Sequence, residues 1–197
     1  MTKLFRGATA VRAAVVDYLS VWMPQIIDQA RTDWVVDENR LPYPVAYDGY
    51  EPYALDKTPL VGVNVVQAGE FIRKDYDDAM SQRYLTKYTV RVFTWCKTPL
   101  DDAGNPDETE YVLTLQMRDD LAACMRAALV RSGSLGHPEA ILFDETSLSE
   151  EYSEATGIKG DRFVAGVIHS FEMRFDETVP IVPLGTADTI NIVGKLI

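Results

Sequence analysis

The sequence predicts an α+β fold, with a mixed, mostly antiparallel sheet, two main helices packed on one face, an extended loop and a C-terminal arm. Two segments have the apolar spacing of amphipathic helices, and several others alternate apolar and polar residues as strands do. Their order is helix, two strands, helix, two strands, which favours a sheet with its helices on one side. A chain of 197 residues suits one domain, which we place at residues 1–179, followed by an arm at 180–197.

The first helix is predicted from about Thr9 to Met23. Pro24 is expected to kink or restart it, because proline lacks the backbone donor that an inner turn requires, and Gln25–Arg31 then continue the helix. One face of the segment is apolar and is formed by Val11, Val15, Tyr18, Leu19 and Trp22.

Residues 37–58 are predicted to form an ordered loop inserted in the domain, because prolines and tyrosines are interleaved there. Tyrosine combines apolar area with a polar tip, which suits packing over the edge of the chain's own core or a contact between subunits. Both alternatives stay open. The candidate subunit contacts in this loop are Tyr43, Tyr47, Tyr50 and Tyr53.

Two strands are predicted between the helices. Leu60–Gln67 is rich in valine, as is typical of a strand buried on both faces. Asp75, Asp77 and Asp78 are expected to lie in a polar connection that follows it. The second strand, Tyr84–Lys97, alternates with a period of two, and its apolar face is formed by Tyr88, Val90, Val92 and Cys96.

The second helix is predicted over Asn105–Arg131. Asn105 provides a side-chain acceptor for the cap, Pro106 suits the first turn, and Gly133 ends the helix. Its apolar stripe consists of Val112, Leu115, Leu121, Ala122, Met125, Ala128 and Leu129.

The last part of the domain is predicted to hold strands over Ala140–Phe143 and Ser147–Ala155, a turn over Thr156–Gly160 and a long strand over Asp161–Phe175. The long strand alternates cleanly, so one of its faces is expected to join the core. That face is formed by Phe163, Ala165, Val167, His169, Phe171, Met173 and Phe175.

The sequence ends in branched apolar residues, where solvent exposure is the ordinary expectation. Such a tail indicates either an arm that binds a partner or a final strand on the chain's own sheet, and both interpretations stay open. The candidate contact residues in the arm are Leu184, Ile190, Ile192, Val193 and Leu196.

The formal net charge of −11 argues against a grip on nucleic acid, because Lys and Arg are scattered rather than clustered. No apolar run approaches the roughly 20 residues that a membrane helix requires, so we expect no membrane partner. Acids are concentrated in two stretches that contain no Lys or Arg, and solvated loops would also explain them. The stretches include Asp101, Asp102, Asp107, Glu108, Glu150, Glu151 and Glu154.

The residue patterns predict no catalytic site, cofactor site or metal site, so we do not expect an enzyme. His137 and His169 accompany no catalytic or metal-binding pattern, and His169 is interpreted as a hydrogen-bonded structural histidine. Cys96 and Cys124 lack ligand spacing and are expected to be buried free thiols.

This order of elements resembles the bacteriophage tail terminator proteins, the family that includes the lambda-like minor tail protein U. The resemblance rests on the segments Thr9–Met23, Pro59–Gln67, Tyr84–Lys97, Asn105–Arg131 and Ser147–Phe175. It implies a virion protein of the tail or neck, assembled in the host cytoplasm, that forms a six-membered ring. The implied ring stops tail-tube polymerisation and joins the head connector.

The implied partners are further copies of the chain, a tail-tube protein, a head-to-tail connector or stopper protein, and genomic DNA that passes without specific binding. Residues 37–58 and the tail after Val179 depart from the compact family pattern and could add subunit contacts. The two acidic stretches are hypothesised to face the lumen or the mating surface. The alternative function is a soluble ligand-binding or enzymatic domain, with a pocket between helix 105–131 and the sheet.

Overall fold

The fold is known from a computed structural model, which describes residues 7–49, 59–78, 81–97, 110–136, 142–158 and 162–180. The predicted α+β class is confirmed. The elements in chain order are α1 (Gly7–Trp34), β1 (Ala46–Asp48), β2 (Leu60–Asp78), β3 (Ser81–Lys97), α2 (Glu110–Val130), β4 (Leu142–Tyr152), β5 (Thr156–Ile158) and β6 (Arg162–Pro180).

The six strands form one open sheet in the order β1-β2-β3-β6-β4, and β5 pairs with β6. β1 is parallel to β2, and the other pairs are antiparallel, which agrees with the predicted mixed and mostly antiparallel sheet. β3 and β6 pair without a register shift from Ser81↔Pro180 to Lys97↔Val164. This regular pair is the centre of the sheet.

Both helices pack on one face of the sheet, as predicted. The facing side chains of β3 and β6 are buried, and the Tyr18 hydroxyl donates to the carbonyl oxygen of Ala128 over 2.8 Å, which joins α1 to α2. Burying one large apolar side chain is worth about 1.5–3 kcal/mol, so this layer is the main source of stability. Its buried strand residues include Tyr88, Val90, Val92, Phe171 and Met173, and its helix residues include Val15, Leu19, Ile27, Leu121, Met125 and Leu129.

The first helix continues past Pro24, as predicted, and Pro24 does not restart it, because α1 is one helix of 28 residues. Met23, Ile27 and Ala30 are buried on both sides of the proline and continue the apolar stripe. The side-chain amide of Gln25 also donates to the Val21 carbonyl over 3.1 Å. Packing and this contact offset the cost of an inner proline, about 3 kcal/mol.

The segment after the valine strand was predicted wrongly. β2 continues to Asp78, so the three aspartates at 75, 77 and 78 belong to a strand paired with β3 and not to a connection. The strand is also not buried on both faces along its predicted length, because Val66 and Gln67 are exposed. Acids are tolerated there because β2 lies near the border of the sheet.

The loop at 37–58 contains a short strand, since β1 pairs in parallel with Leu60–Gly62. The prediction of a turn over Thr156–Gly160 is wrong in its first part, because Thr156–Ile158 form the strand β5, which pairs with β6. The two strands predicted around Phe143 and Ser147 form one strand, β4, whose pairing is irregular between Asp144 and Ser149. β6 extends past Phe175 to Pro180, because β3 offers partners as far as Ser81.

The second helix is described from Glu110, so the predicted cap at Asn105-Pro106 lies outside the described residues. The predicted stripe is buried at Leu121, Met125 and Leu129. Val112 is an exception, because it is 55% exposed and faces away from the buried stripe.

Gly166 and Trp95 lie in close contact on the sheet face opposite the helices. Gly166 pairs with Trp95, whose indole ring lies across it. A Cβ atom at position 166 would lie 2.7 Å from Trp95 Cε3 and 2.9 Å from the Thr94 carbonyl oxygen. Only glycine leaves room for this contact.

We predict that Gly166→Ala destabilises the fold by about 1–3 kcal/mol, because the new methyl group overlaps Trp95 and the backbone. Gly69→Ala is a matched control in β2, where a Cβ atom meets nothing within 4 Å. The free energy of unfolding from urea titration measures both effects. Equal values for the two variants would contradict the assigned packing.

Candidate assembly surfaces

β4 is the last strand on one flank of the sheet and presents an acidic surface. It contains Glu145, Glu150 and Glu151 but no Lys or Arg, and Glu154 follows it. Glu145, Glu151 and Glu154 are exposed. The other predicted acids, Asp101, Asp102, Asp107 and Glu108, lie outside the described residues.

Glu150 differs from the other predicted surface acids, because its carboxylate is engaged within the chain. Arg126 of α2 donates to both of its oxygens over 2.6 and 2.7 Å, and the Tyr152 hydroxyl donates over 2.7 Å. Burial acts to raise the pKa of Glu150, but these hydrogen bonds and the Arg126 charge lower it below its usual value. Glu150 is therefore a link between α2 and β4 and not a free acid for a lumen.

His169 lies beneath this ion pair and is completely buried. Its Nε2 atom is 3.3 Å from the Ala122 carbonyl oxygen and 3.3 Å from Glu150 Oε1, which confirms the structural role predicted for it. Burial lowers the pKa of His169 to about 4, against the smaller opposing effect of Glu150. The ring is therefore neutral near pH 7 and connects β6, β4 and α2.

A second arginine of α2 also holds the acidic flank. Arg118 donates to the Ser153 carbonyl oxygen, and its guanidinium carbon lies 5.2 Å from the centroid of the Tyr152 ring. Together with Arg126, it fixes the end of a strand whose pairing with β6 is interrupted. The strand that carries the exposed acids of this flank is thus held in place by α2.

β2 forms the other flank, because β1 covers only its first three residues, Leu60–Gly62. From Val63 to Asp78 no strand in the described ranges pairs with its outer edge. Three apolar side chains on this part of β2 are exposed, namely Val66 (44%), Phe71 (62%) and Ile72 (49%). Exposed apolar residues on an unpaired edge are typical of a contact surface.

The predicted tyrosine contacts divide into two groups. The Tyr43 hydroxyl donates to Asp28, and Arg31 stacks 4.0 Å from the centroid of its ring. Tyr47 packs against the core, and burial raises the pKa of its hydroxyl to about 12. Both are used within the chain, whereas Tyr50 and Tyr53 lie outside the described residues.

A groove lies between the two helices. The alternative function placed its pocket elsewhere, between α2 and the sheet. Its volume is about 450 Å³, and it is lined by Ile26, Ala30 and Trp34 of α1 and by Cys124 and Ala127 of α2, among others. The five arm residues predicted to make contacts lie outside the described part of the chain.

Three other buried side chains, two thiols and one carboxylate, are of the types found in catalytic and metal sites. Cys96 and Cys124 are buried free thiols as predicted, and burial raises the pKa of each to about 12, so neither is a reactive thiolate near pH 7. Glu110 is buried, and neither of its carboxylate oxygens has a hydrogen-bond partner in the part of the chain that the structure describes. Among the described residues, no three His, Cys, Asp or Glu side chains converge as a metal site would require.

Comparisons with known proteins add no family to these observations. No protein-family model matches the chain, and no curated protein matches it. Of the helices that the structure describes, neither has the combination of length and apolar character needed to cross a bilayer. The two flanks and the groove are therefore the surfaces of the described chain that bear on its function.

We predict that His169 makes stability depend on pH. Its pKa is about 4 in the folded chain and near 6.5 when unfolded, so between these values only the unfolded chain binds the proton. This stability is present above pH 6.5 and is lost as the pH falls toward 4, by up to about 3 kcal/mol.

The measurement is the free energy of unfolding at pH 7 and pH 4.5 for the natural chain and for His169→Gln, which keeps an N–H donor but does not titrate. The carboxylates titrate in both proteins, so the difference between the two slopes isolates the histidine. Parallel pH profiles would contradict the buried neutral state.

Proposed function

We propose that this chain is a structural virion protein of a long-tailed bacteriophage, forming a ring at the head-proximal end of the tail. The ring, expected to be a hexamer, terminates tail-tube polymerisation and joins the tail to the head connector or stopper protein. The proposal combines the resemblance in element order with one structural observation. That observation is the pair of unlike flanks formed by β2 and β4.

The flanks support a ring because they are different surfaces on opposite borders of one sheet. When the apolar β2 flank of one copy meets the β4 flank of the next, the contact is heterologous and leaves a free flank at each end. Repetition of such a contact gives a closed ring where the rotation permits, and otherwise a filament. Phe71 and Ile72 supply apolar area that is exposed in the single chain.

The acidic flank supports a role in which the genome passes through the ring. An acidic wall repels the phosphates of DNA, so that the genome passes through the ring without being held. In this hypothesis Glu151 and Glu154 face the lumen or the mating surface, since both are exposed. Glu150 is not included, because Arg126 already neutralises it.

The helix groove favours a second candidate function, a soluble ligand-binding domain. Its volume of about 450 Å³ falls within the range of small-molecule sites, and part of its lining is apolar. A chain with this function would remain a monomer, bind a small molecule between α1 and α2, and leave tail tubes unaffected.

The first test uses the purified chain with the tail-tube protein of the same genome. We expect native mass measurement and negative-stain microscopy to show rings, alone or at the ends of tubes, and tube length to be limited when the chain is present. Rings without any effect on tube length would overturn the terminator role. A monomer that ignores tubes and binds a small molecule would overturn the assembly role as well.

We predict that Phe71→Glu reduces self-association at least tenfold, because it places a charge on the apolar flank where the side chain is already exposed. Val112→Glu is the matched control, since Val112 is also exposed (55%, against 62% for Phe71) but lies on α2. Sedimentation at several concentrations measures both variants. Equal association of the two would remove the β2 flank from the contact.

We predict that Glu151→Gln combined with Glu154→Gln lowers the yield of infectious particles while leaving tail length unchanged. The physical reason is the loss of negative charge where DNA passes or where the head connector binds. Glu38→Gln is the control, because it removes an exposed acid in the turn after α1, away from the β4 flank. Unchanged infectivity of the double variant would exclude the acidic-flank role.

A further inference from the structure

The groove between α1 and α2 has an ordered distribution of charge. At one end the guanidinium carbon of Arg131 lies 4.2 Å from the centroid of the Trp22 ring. At the other end Asp33 accepts a hydrogen bond of 2.8 Å from the Gln29 amide. Neither Arg131 nor Asp33 forms an ion pair with another described residue. The groove is thus cationic at one end and anionic at the other.

Between these charges the groove is largely apolar. Ile26 and Trp34 contribute from α1, and Cys124 contributes from α2. From Trp22 to Asp33, α1 rises about 16 Å, whereas the seven residues from Asp188 to Lys195 span about 23 Å when extended. The long side chains of Arg131 and Lys195 must therefore reach inward to span the remaining distance. Gln25 and Gln29 line the rim, and their amides can exchange hydrogen bonds with the backbone of such a segment.

The C-terminal arm has the complementary distribution. Asp188 is followed by apolar residues that include Ile190, Ile192 and Val193, and then by Lys195. In an extended segment Ile190 and Ile192 share one face, which would lie on the apolar part of the groove. An anion, an apolar stretch and a cation therefore match the Arg131 end, the middle and the Asp33 end.

We propose that residues 188–195 of a neighbouring copy bind in the groove between α1 and α2, with Asp188 beside Arg131 and Lys195 beside Asp33. This inference rests on the proposed self-assembly and identifies a second surface, the helix groove, through which neighbouring copies bind each other. The pairing also fixes a direction, because the bound segment runs parallel to α1. Complementary charges at the ends set the register, and burial of the isoleucines supplies the attraction.

The geometry favours a neighbouring copy over the same copy. Met173 pairs with Phe143, whose backbone N–H bonds to Gly133 just after α2, and β6 then continues to Pro180 for about 23 Å. Asp188 is eight residues further on and can reach at most about 28 Å from Pro180. A return to Arg131 must cover that 23 Å and cross a helix layer of about 10 Å.

Binding to its own groove would therefore require the arm to reverse at Pro180 and to extend almost fully. A neighbouring copy placed beside the end of the β2–β3 pair offers its groove without such a reversal. The arm then joins successive copies in the ring, in addition to the contact between flanks.

The first test is charge reversal in the full-length chain, read by native mass measurement of assembly over a concentration series. We expect Arg131→Glu and Asp188→Arg each to weaken assembly at least about tenfold, and the double variant to recover most of the loss. Arg91→Glu is the control, because Arg91 is exposed on β3 and makes the same change of charge. Absence of recovery in the double variant would overturn the assigned pairing.

The second test identifies which copy supplies the arm. One chain carries Ala127→Cys in the groove, another carries Ile192→Cys in the arm, and the two are mixed and oxidised. Both chains also carry Cys124→Ser, because Cys124 itself lines the groove. Disulfide-linked dimers that contain one copy of each variant are expected in the mixture, in excess of the dimers formed by either variant alone. When both cysteines are placed on one chain, a ladder of linked copies is expected, and a linked monomer alone would overturn binding to a neighbour.

These outcomes separate this inference from the proposed function. Rings that form normally and respond to neither test would leave the ring proposal standing and overturn the arm contact. A natural chain that forms no ring, on tubes or alone, would overturn the proposed function itself.

Discussion

The structure depends on the pairing of β3 with β6. These strands stay in register from Ser81↔Pro180 to Lys97↔Val164, so every second side chain of both strands points to the same face. That face is covered by α1 and α2, which bury a continuous apolar layer. A slip of one residue would move the whole apolar set to the opposite face, so burial itself fixes the register.

The borders of the sheet are less regular than its centre. β2 has four register shifts against β3, and β4 has an irregular segment against β6. Such irregularities limit unspecific pairing of exposed edges between chains. The acidic flank is held instead by contacts from α2, chiefly the pair between Arg126 and Glu150 above the buried His169. A regular centre with specific, braced borders suits a subunit that joins defined neighbours and does not aggregate.

The periodic parts of the chain could be predicted from the sequence, because burial imposes a period that residues display. The alternation in Tyr84–Lys97 and Asp161–Phe175 and the stripe in the first helix predicted the elements that form the core. The errors lie where tertiary contacts outweigh local preference. Pro24 stays inside a helix because packing continues around it, and the aspartates of β2 stay in a strand because β3 supplies partners.

The candidate surfaces were less accessible to sequence reasoning. Acid clustering indicated the β4 flank, but it could not separate Glu150 from Glu151, since the distinction depends on Arg126 from a distant helix. The helix groove was not predicted, because its lining residues come from two helices and lie about a hundred positions apart in the sequence. The predicted end of the second helix at Arg131 marked only one end of this groove.

The central claim is that copies of this chain join through unlike flanks of one sheet. Electron cryomicroscopy of the head-proximal end of assembled tails tests it most directly. The expected map shows a closed ring in which β2 of each copy lies against β4 of the next and in which Glu151 and Glu154 face the lumen or the connector. A map in which this position is occupied by another protein, or in which β2 and β4 both face solvent, would contradict it.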